Sequence, residues 1–220
     1  MKASFRAVSI AMALLIFGAC ASRRIDPYPY QNVLSCAEVA YTETGQVERL
    51  KFCVLGETGL KYGQAVAVYK ISQNGKFKRV YIDRDRGFKP WKIAACELDG
   101  DPLPEIAVGV YKSTRFFPDP DNRLFIYDWT GKFLSPKWLG SRLALPFLDF
   151  VFIHDGDSTD RLVALEHLHE TEFFLRIYKW NGFGFTSESE PIQVKSREEG
   201  LRALQLLREG HPWSEITGGE

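Results

Sequence analysis

Between Cys96 and Tyr111 the chain reads CELDGDPLPEIAVGVY. Carboxylates stand at alternate positions, Glu97, Asp99 and Asp101, and a further one follows at Glu105. Calcium takes six to eight oxygens, so this spacing suggests a cation loop. The same residues also make a plain acidic turn between two strands, because Asp and Gly favour turns. The local pattern leaves both readings open.

Two other groupings carry chemistry-bearing side chains. His154 lies beside Asp155, with Asp157 two residues on, an acid/base arrangement without an accompanying nucleophile or oxyanion feature. In LEHLHETE, His167 and His169 are two apart. On a strand they share a face, where two imidazoles can bind zinc or copper with help from Glu166, Glu170 or Glu172. The other reading is a polar strand end entering a turn. Trp91, Trp129, Trp138 and Trp180 fall at strand edges, either as packing residues or as a surface for sugar or peptide. No Gly-rich stretch has phosphate-loop spacing.

These groups must be positioned by a repeat. YKISQNGKF at Tyr69, YDWTGKF at Tyr127 and YKWNGFGF at Tyr178 each close an apolar run, turn through Gly and restart with Phe. Gly between apolar runs, above all in Asn-Gly, marks a hairpin. A spacing of about 50 residues fits a repeated four-stranded sheet unit. Upstream, the stretches at Cys36, Cys96 and Phe152 each read as strand, polar turn, strand. The units run at about 33–83, 90–140 and 146–190. PIQVK (191–195) supplies a further strand. Helical periodicity appears only in SREEGLRALQLLREG. There Ser196 and Glu199 form a capping box, Leu201, Leu204 and Leu207 share a face with Ala203, and Gly210 stands at the C-cap position. The helix must bury that stripe, and it is the obvious cover for exposed sheet edges.

The ends and the composition set the context. The chain has 220 residues, 45% hydrophobic and 14% aromatic, with a formal net charge of +0. One compact domain with a real core follows, and no basic footprint calls for nucleic acid. Lys2 and Arg6 precede an apolar run from Ala7 to Phe17 that is too short to span a bilayer as a mature helix. IFGAC resembles the bacterial lipoprotein cleavage box, which implies a signal peptide at 1–19 and a palmitate-bearing anchor on Cys20. The alternative is ordinary cleavage near GACAS. Residues 20–32 read as a tether, and the tail is 211–220. Neither Ala21 nor Ser22 is an Asp, which points to the outer membrane, facing the periplasm or the cell surface.

ELDGDPLPEIAVG followed by LFIYDW resembles the FG-GAP/VCBS repeat of integrin-type β-propellers. The resemblance covers about residues 33–190. It implies an all-β, β-propeller-like fold of about three four-stranded antiparallel units, an incomplete ring by the usual count of four to eight blades, to which the sequence adds one C-terminal amphipathic helix. It also implies Ca²⁺ held by Glu97, Asp99, Asp101 and Glu105 with the Leu103 carbonyl. Two departures matter: Pro102 replaces a Gly and fixes φ, and Glu97 replaces the usual Asp. In the third unit Asp155 and Asp157 match, while Ile153 and Arg161 stand at ligand positions and favour a salt-bridged turn. The expected role of the domain at 33–195, with the helix at 196–210, is a membrane-anchored binding or scaffold module for an envelope protein or polysaccharide. The alternatives are a metal-dependent hydrolase using His154/Asp155/Asp157 or His167/His169, and a subunit of an envelope assembly machine.

Secretion makes a disulfide available. With Thr44-Gly45 as a two-residue turn, Glu38 faces Lys51, Val39 faces Leu50, Ala37 faces Phe52 and Cys36 faces Cys53. A three-residue loop would put Phe52 opposite Cys36, and a rival pairing joins Cys36 to Cys96. The first register keeps an apolar face together and leaves Cys96 as a buried thiol.

Overall fold

The structure is a computed structural model that describes residues 32–43, 45–84, 87–101, 103–140, 142–154, 156 and 158–216. The signal peptide, Cys20, most of the tether, Thr44, Pro102, Asp155, Asp157 and residues 217–220 lie outside the described residues.

The described chain is all-β apart from its C-terminal end. β1 (Asn32–Glu43), β2 (Gln46–Gly56), β3 (Ala65–Ile71) and β4 (Phe77–Arg84) form one antiparallel sheet in chain order. β5 (Pro90–Cys96), β6 (Glu105–Lys112), β7 (Asp121–Trp129) and β8 (Leu134–Leu139) form the second. The third contains β9 (Phe147–Ile153), β10 (Arg161–His167), β11 (Phe173–Trp180) and β12 (Phe185–Ser187), with β13 (Ile192–Val194) also on β11. β12 pairs with Tyr178–Trp180 and β13 with Phe173–Leu175, so PIQVK completes a fourth strand made in two pieces. No sheet closes into a barrel.

The repeat seen in the sequence is a repeat of geometry. The hairpin turns at Gly75, Gly131 and Gly182 all hold glycine at positive φ, between 74° and 89°, a backbone conformation that costs a side-chain-bearing residue. Each turn is closed by its first residue: Ser72 N donates to Lys76 O, Thr130 N to Phe133 O and Asn181 N to Gly184 O. The register slips by one residue opposite Val68-Tyr69 and again opposite the equivalent Ile126-Tyr127. The second strands of the last two sheets, EIAVGV and RLVALE, are buried throughout those stretches, as central strands covered on both faces should be.

The sheets stack face to face. Leu50, Phe52, Val54 and Val68 of the first sheet pack against Ile106, Val108, Phe125 and Trp129 of the second. The other face of the second sheet, through Ala107, Leu124 and Ile126, meets Phe147, Phe150, Leu162 and Tyr178 of the third. α1 (Arg197–Arg208) then lies on the far face of the third sheet, where Ala203, Leu204 and Leu207 meet Val151, Val163, Leu165, Leu175 and Ile177. The helix was expected to cover sheet edges. It covers a sheet face, because its leucine stripe matches the apolar face left over when the stack ends. Ser196 caps it, accepting from Glu199 N at 3.2 Å, while Glu199 Oε2 accepts from Lys195 N. At the other end Gly210 N bonds to Leu207 O and His211 N to Leu206 O, a Schellman closure. α2 (Trp213–Ile216) follows.

The cysteine register is the one in which Cys36 faces Cys53, with Glu38 opposite Lys51, Val39 opposite Leu50 and Ala37 opposite Phe52. The two sulfurs are 2.9 Å apart. Cys96 is buried in the core between the second and third sheets, away from the Cys53 cluster on the far face of the first.

Candidate functional site

The loop 97–104 joins β5 to β6, and its carboxylates mostly serve its own backbone. Gly100 N donates to Glu97 Oε1 at 2.7 Å, Asp101 N to Asp99 Oδ1 at 3.2 Å and Leu103 N to Asp101 Oδ1 at 2.6 Å. Leu98 N donates to Glu105 Oε2 at 2.9 Å. These are the local side-chain bonds that make Asp and Glu turn residues. The loop is tied to the third sheet as well: Glu97 N donates to Asp160 Oδ2 at 3.0 Å, and Asp160 N to Glu97 O at 2.6 Å.

Of the four predicted ligands, Glu97, Asp99 and Glu105 bring one oxygen each within 4.8 Å of one another. Asp101 is not in that group. The cation among these groups is a side chain, Lys137. Its Nζ lies 2.5 Å from Asp99 Oδ2, 2.5 Å from Glu105 Oε1 and 3.0 Å from Asp128 Oδ1. Lys137 sits on β8 where the register slips, between Pro136, which faces Tyr127, and Trp138, which faces Ile126. It is the bulged residue, and bulges re-aim side chains. Calcium would have to displace this ammonium and then complete its shell from few remaining oxygens. As arranged, the residues do not fit a calcium ion.

Burial sets the electrostatics. Glu105 is 1% exposed, and burial pushes its carboxyl up to about 7 against the pull of Lys137. Asp99 is held below its ordinary range by Lys137 and by the Asp101 amide, which outweigh its desolvation. Lys137 gives up hydration and is pushed upward by its three carboxylates. Nothing in the 97–105 stretch announces Lys137. The nearest signal is a lysine between Pro136 and Trp138 in a short strand.

The other candidates disperse. His154 Nδ1 is 3.2 Å from Asp160 Oδ1, so its partner is the buried Asp160, whose carboxyl burial pushes up. Arg161 Nε donates to Glu188 Oε2 at 2.7 Å. β10 ends at His167, which leaves His169 in the following turn and breaks the shared face expected for the pair. His154 follows β9, beside the start of β10, whereas His167 is the last residue of β10. Glu166 faces inward instead: its carboxylate accepts from the Tyr178 hydroxyl, from Arg176 Nε at 2.8 Å and from Leu145 N at 3.2 Å. Glu170 and Glu172 belong to the turn with His169. Trp129 and Trp180 are buried, and Trp138 packs edge-on against Trp180 and Phe185. Trp91 packs against Phe147 and Phe150 over Gly109, where a Cβ would come within 2.8 Å of the indole. The tryptophans are packing residues.

No family model and no curated protein matches this chain. Among solved structures it is similar to Sqt1 from Chaetomium thermophilum, at 14% identity and a TM-score of 0.37, over 71% of this chain and 45% of that one. The chain spans less than half the length of that protein, and a likeness this loose carries no argument.

Proposed function

We propose that this chain is an envelope lipoprotein, held to a membrane through Cys20, whose stacked sheets act as a rigid binding or scaffold module. Its body is read as a β-propeller-like arc of three FG-GAP/VCBS-type units, an incomplete ring ended by α1. The observation that carries the binding reading is the stack itself. The facing surfaces of the sheets bury one another and the helix, so the loops at the two ends are what a partner can meet. Among the described residues that offered chemistry, Asp99 and Glu105, read as cation ligands, are spent on Lys137, and His154, read as an acid/base group, is paired with Asp160. The partner class is an envelope protein or polysaccharide, and the location is the outer membrane, facing the periplasm or the cell surface.

The test is fractionation with intact mass. Wild-type protein should sediment with membranes and carry acyl chains on Cys20. Cys20→Ala should be released or remain unprocessed. A Cys20→Ala protein with normal mature mass and unchanged membrane partition would overturn the reading.

A further inference from the structure

We propose that the end of the stack where β1 begins is a docking surface for the anionic headgroups of the membrane that carries the anchor, an inference that rests on the lipoprotein reading above.

β1 starts at Asn32, opposite Gly56 at the end of β2. A Cβ on Gly56 would lie 3.3 Å from Gly63, and Gly63 N donates to Pro90 O at 2.6 Å. Tyr111 N reaches Lys89 O and Phe88 O, both at 3.1 Å. The loop 57–64, the entry to β5 and the end of β6 therefore share one end with the start of β1. The segment leading from Cys20 enters the fold there.

Several cations at that end lie over rings, and Arg123, over Phe117, also pairs with Asp121 at 3.5 Å. Tyr62 and Tyr111 stack at 5.0 Å, with Lys61 Nζ 5.1 Å over Tyr62 and Lys89 Nζ 6.0 Å over Tyr111. Lys112 lies 4.7 Å over Phe88, and Arg142 4.8 Å over Phe117. Among the described residues no ion pair to a carboxylate involves these four cations or Arg115, whereas Lys51, Lys70, Lys137, Arg161 and Arg176 each hold one. Phe116, beside Arg115, is 75% exposed. A cation resting on a ring keeps its charge available to an anion, while a carboxylate partner would cancel it. Tyr and Phe bodies with Lys and Arg heads suit the headgroup layer, where apolar and charged surroundings meet. The opposite end carries Glu97, Asp99 and Asp101, which an anionic surface repels; at the near end Glu57, Asp121, Glu170 and Glu172 stand as well, so the part that can face anions is the patch of Lys61, Lys89 and Lys112 around Tyr62 and Tyr111. The ring-held lysines and the tether entry thus fall on the same part of that end. Among anionic partners, the tether entry selects the membrane.

The test is lysine footprinting of the full-length protein on phosphatidylethanolamine vesicles, with and without phosphatidylglycerol, against nonionic detergent. On phosphatidylglycerol vesicles Lys61, Lys89 and Lys112 should react with an amine reagent about fivefold more slowly than in detergent, and about 0.5 M salt should restore them. Lys76, Lys132 and Lys179, at or near the other end, should react alike in both. In the triple variant Lys61→Glu, Lys89→Glu, Arg115→Glu, with unchanged circular dichroism, Lys112 should return to its detergent rate. Three results would each overturn the proposal: unprotected lysines on phosphatidylglycerol vesicles, equal protection at both ends, or equal protection by a dissolved anionic polysaccharide. The mass of the Cys20 peptide separates the two readings. Acylated Cys20 with unprotected lysines removes the surface and keeps the anchor. Unmodified Cys20 with protected lysines removes the anchor and keeps the surface.

Discussion

The ammonium of Lys137 draws together carboxylates from the β5–β6 loop, from β6 and from β7. Glu105 is the member with least water, so it depends most on that cation. Lys137→Met keeps the length of the side chain and removes its charge, leaving Glu105 buried and unpaired. Breaking such a pair costs about 3–5 kcal/mol, so the urea midpoint should fall with the slope unchanged. Millimolar calcium should leave the wild-type melting temperature where it is, because the site already holds its cation. A Lys137→Met protein as stable as wild type would mean the lysine does not carry the loop.

The helix and the first hairpin are tested as elements. Gly200 of α1 faces Leu165, and an added Cβ would run into the Leu165 methyl. In an exposed helix Gly→Ala stabilises by roughly 1 kcal/mol. Here Gly200→Ala should destabilise by about 1–3 kcal/mol, the usual cost of overpacking, and a rise in melting temperature would show that the helix stands off the sheet. Leu204→Asp, at a position 1% exposed, should cost several kcal/mol more through a buried charge. In the first hairpin, the facing sulfurs predict a Cys36–Cys53 disulfide once the protein is made in an oxidising compartment. Closing a loop of that length contributes about 3 kcal/mol, so reductant should lower the melting temperature. Non-reducing peptide mapping checks the pairing, and three free thiols would refute it. Cys96 should stay a thiol, since burial pushes it well above its ordinary range and away from reactivity.

At the scale of the molecule, Asp149 on β9 binds Lys92 of the second sheet and lies 3.7 Å from Arg208 of the helix. Lys92 Nζ also donates to Phe150 O at 2.5 Å. One carboxylate thereby links two sheets and the helix. Burial outweighs Asp149 and lowers the Lys92 ammonium to about 8. The unfolded chain keeps that proton up to pH about 10.5, so between about 8 and 10.5 folding releases a proton. In that window this group's contribution to stability rises with pH, and below it the burial penalty is complete and constant. Denaturant titrations of wild type and Lys92→Met at several pH values should differ in slope across that window. Parallel curves would place Lys92 in water.

The turns, the register of the first hairpin and the capped helix were legible in the sequence, because each depends on neighbours within about twenty residues. Gly at a positive-φ position fixes a turn. An alternating strand admits one register that keeps its apolar face together, which is why Cys36 met Cys53. Three things depended on contacts between elements distant in the chain. Lys137 comes from a bulge two strands away from the loop it fills, and local spacing around Glu97 contains no trace of it. His154 found Asp160, six residues on, which is held where it is by its bonds to Glu97 of the β5–β6 loop. The helix went to a face, since only the completed stack reveals which apolar surface is left to cover. Local geometry is written in short-range backbone and turn preferences, whereas the partners of a charged side chain are set by which distant strands the packing of faces brings beside it.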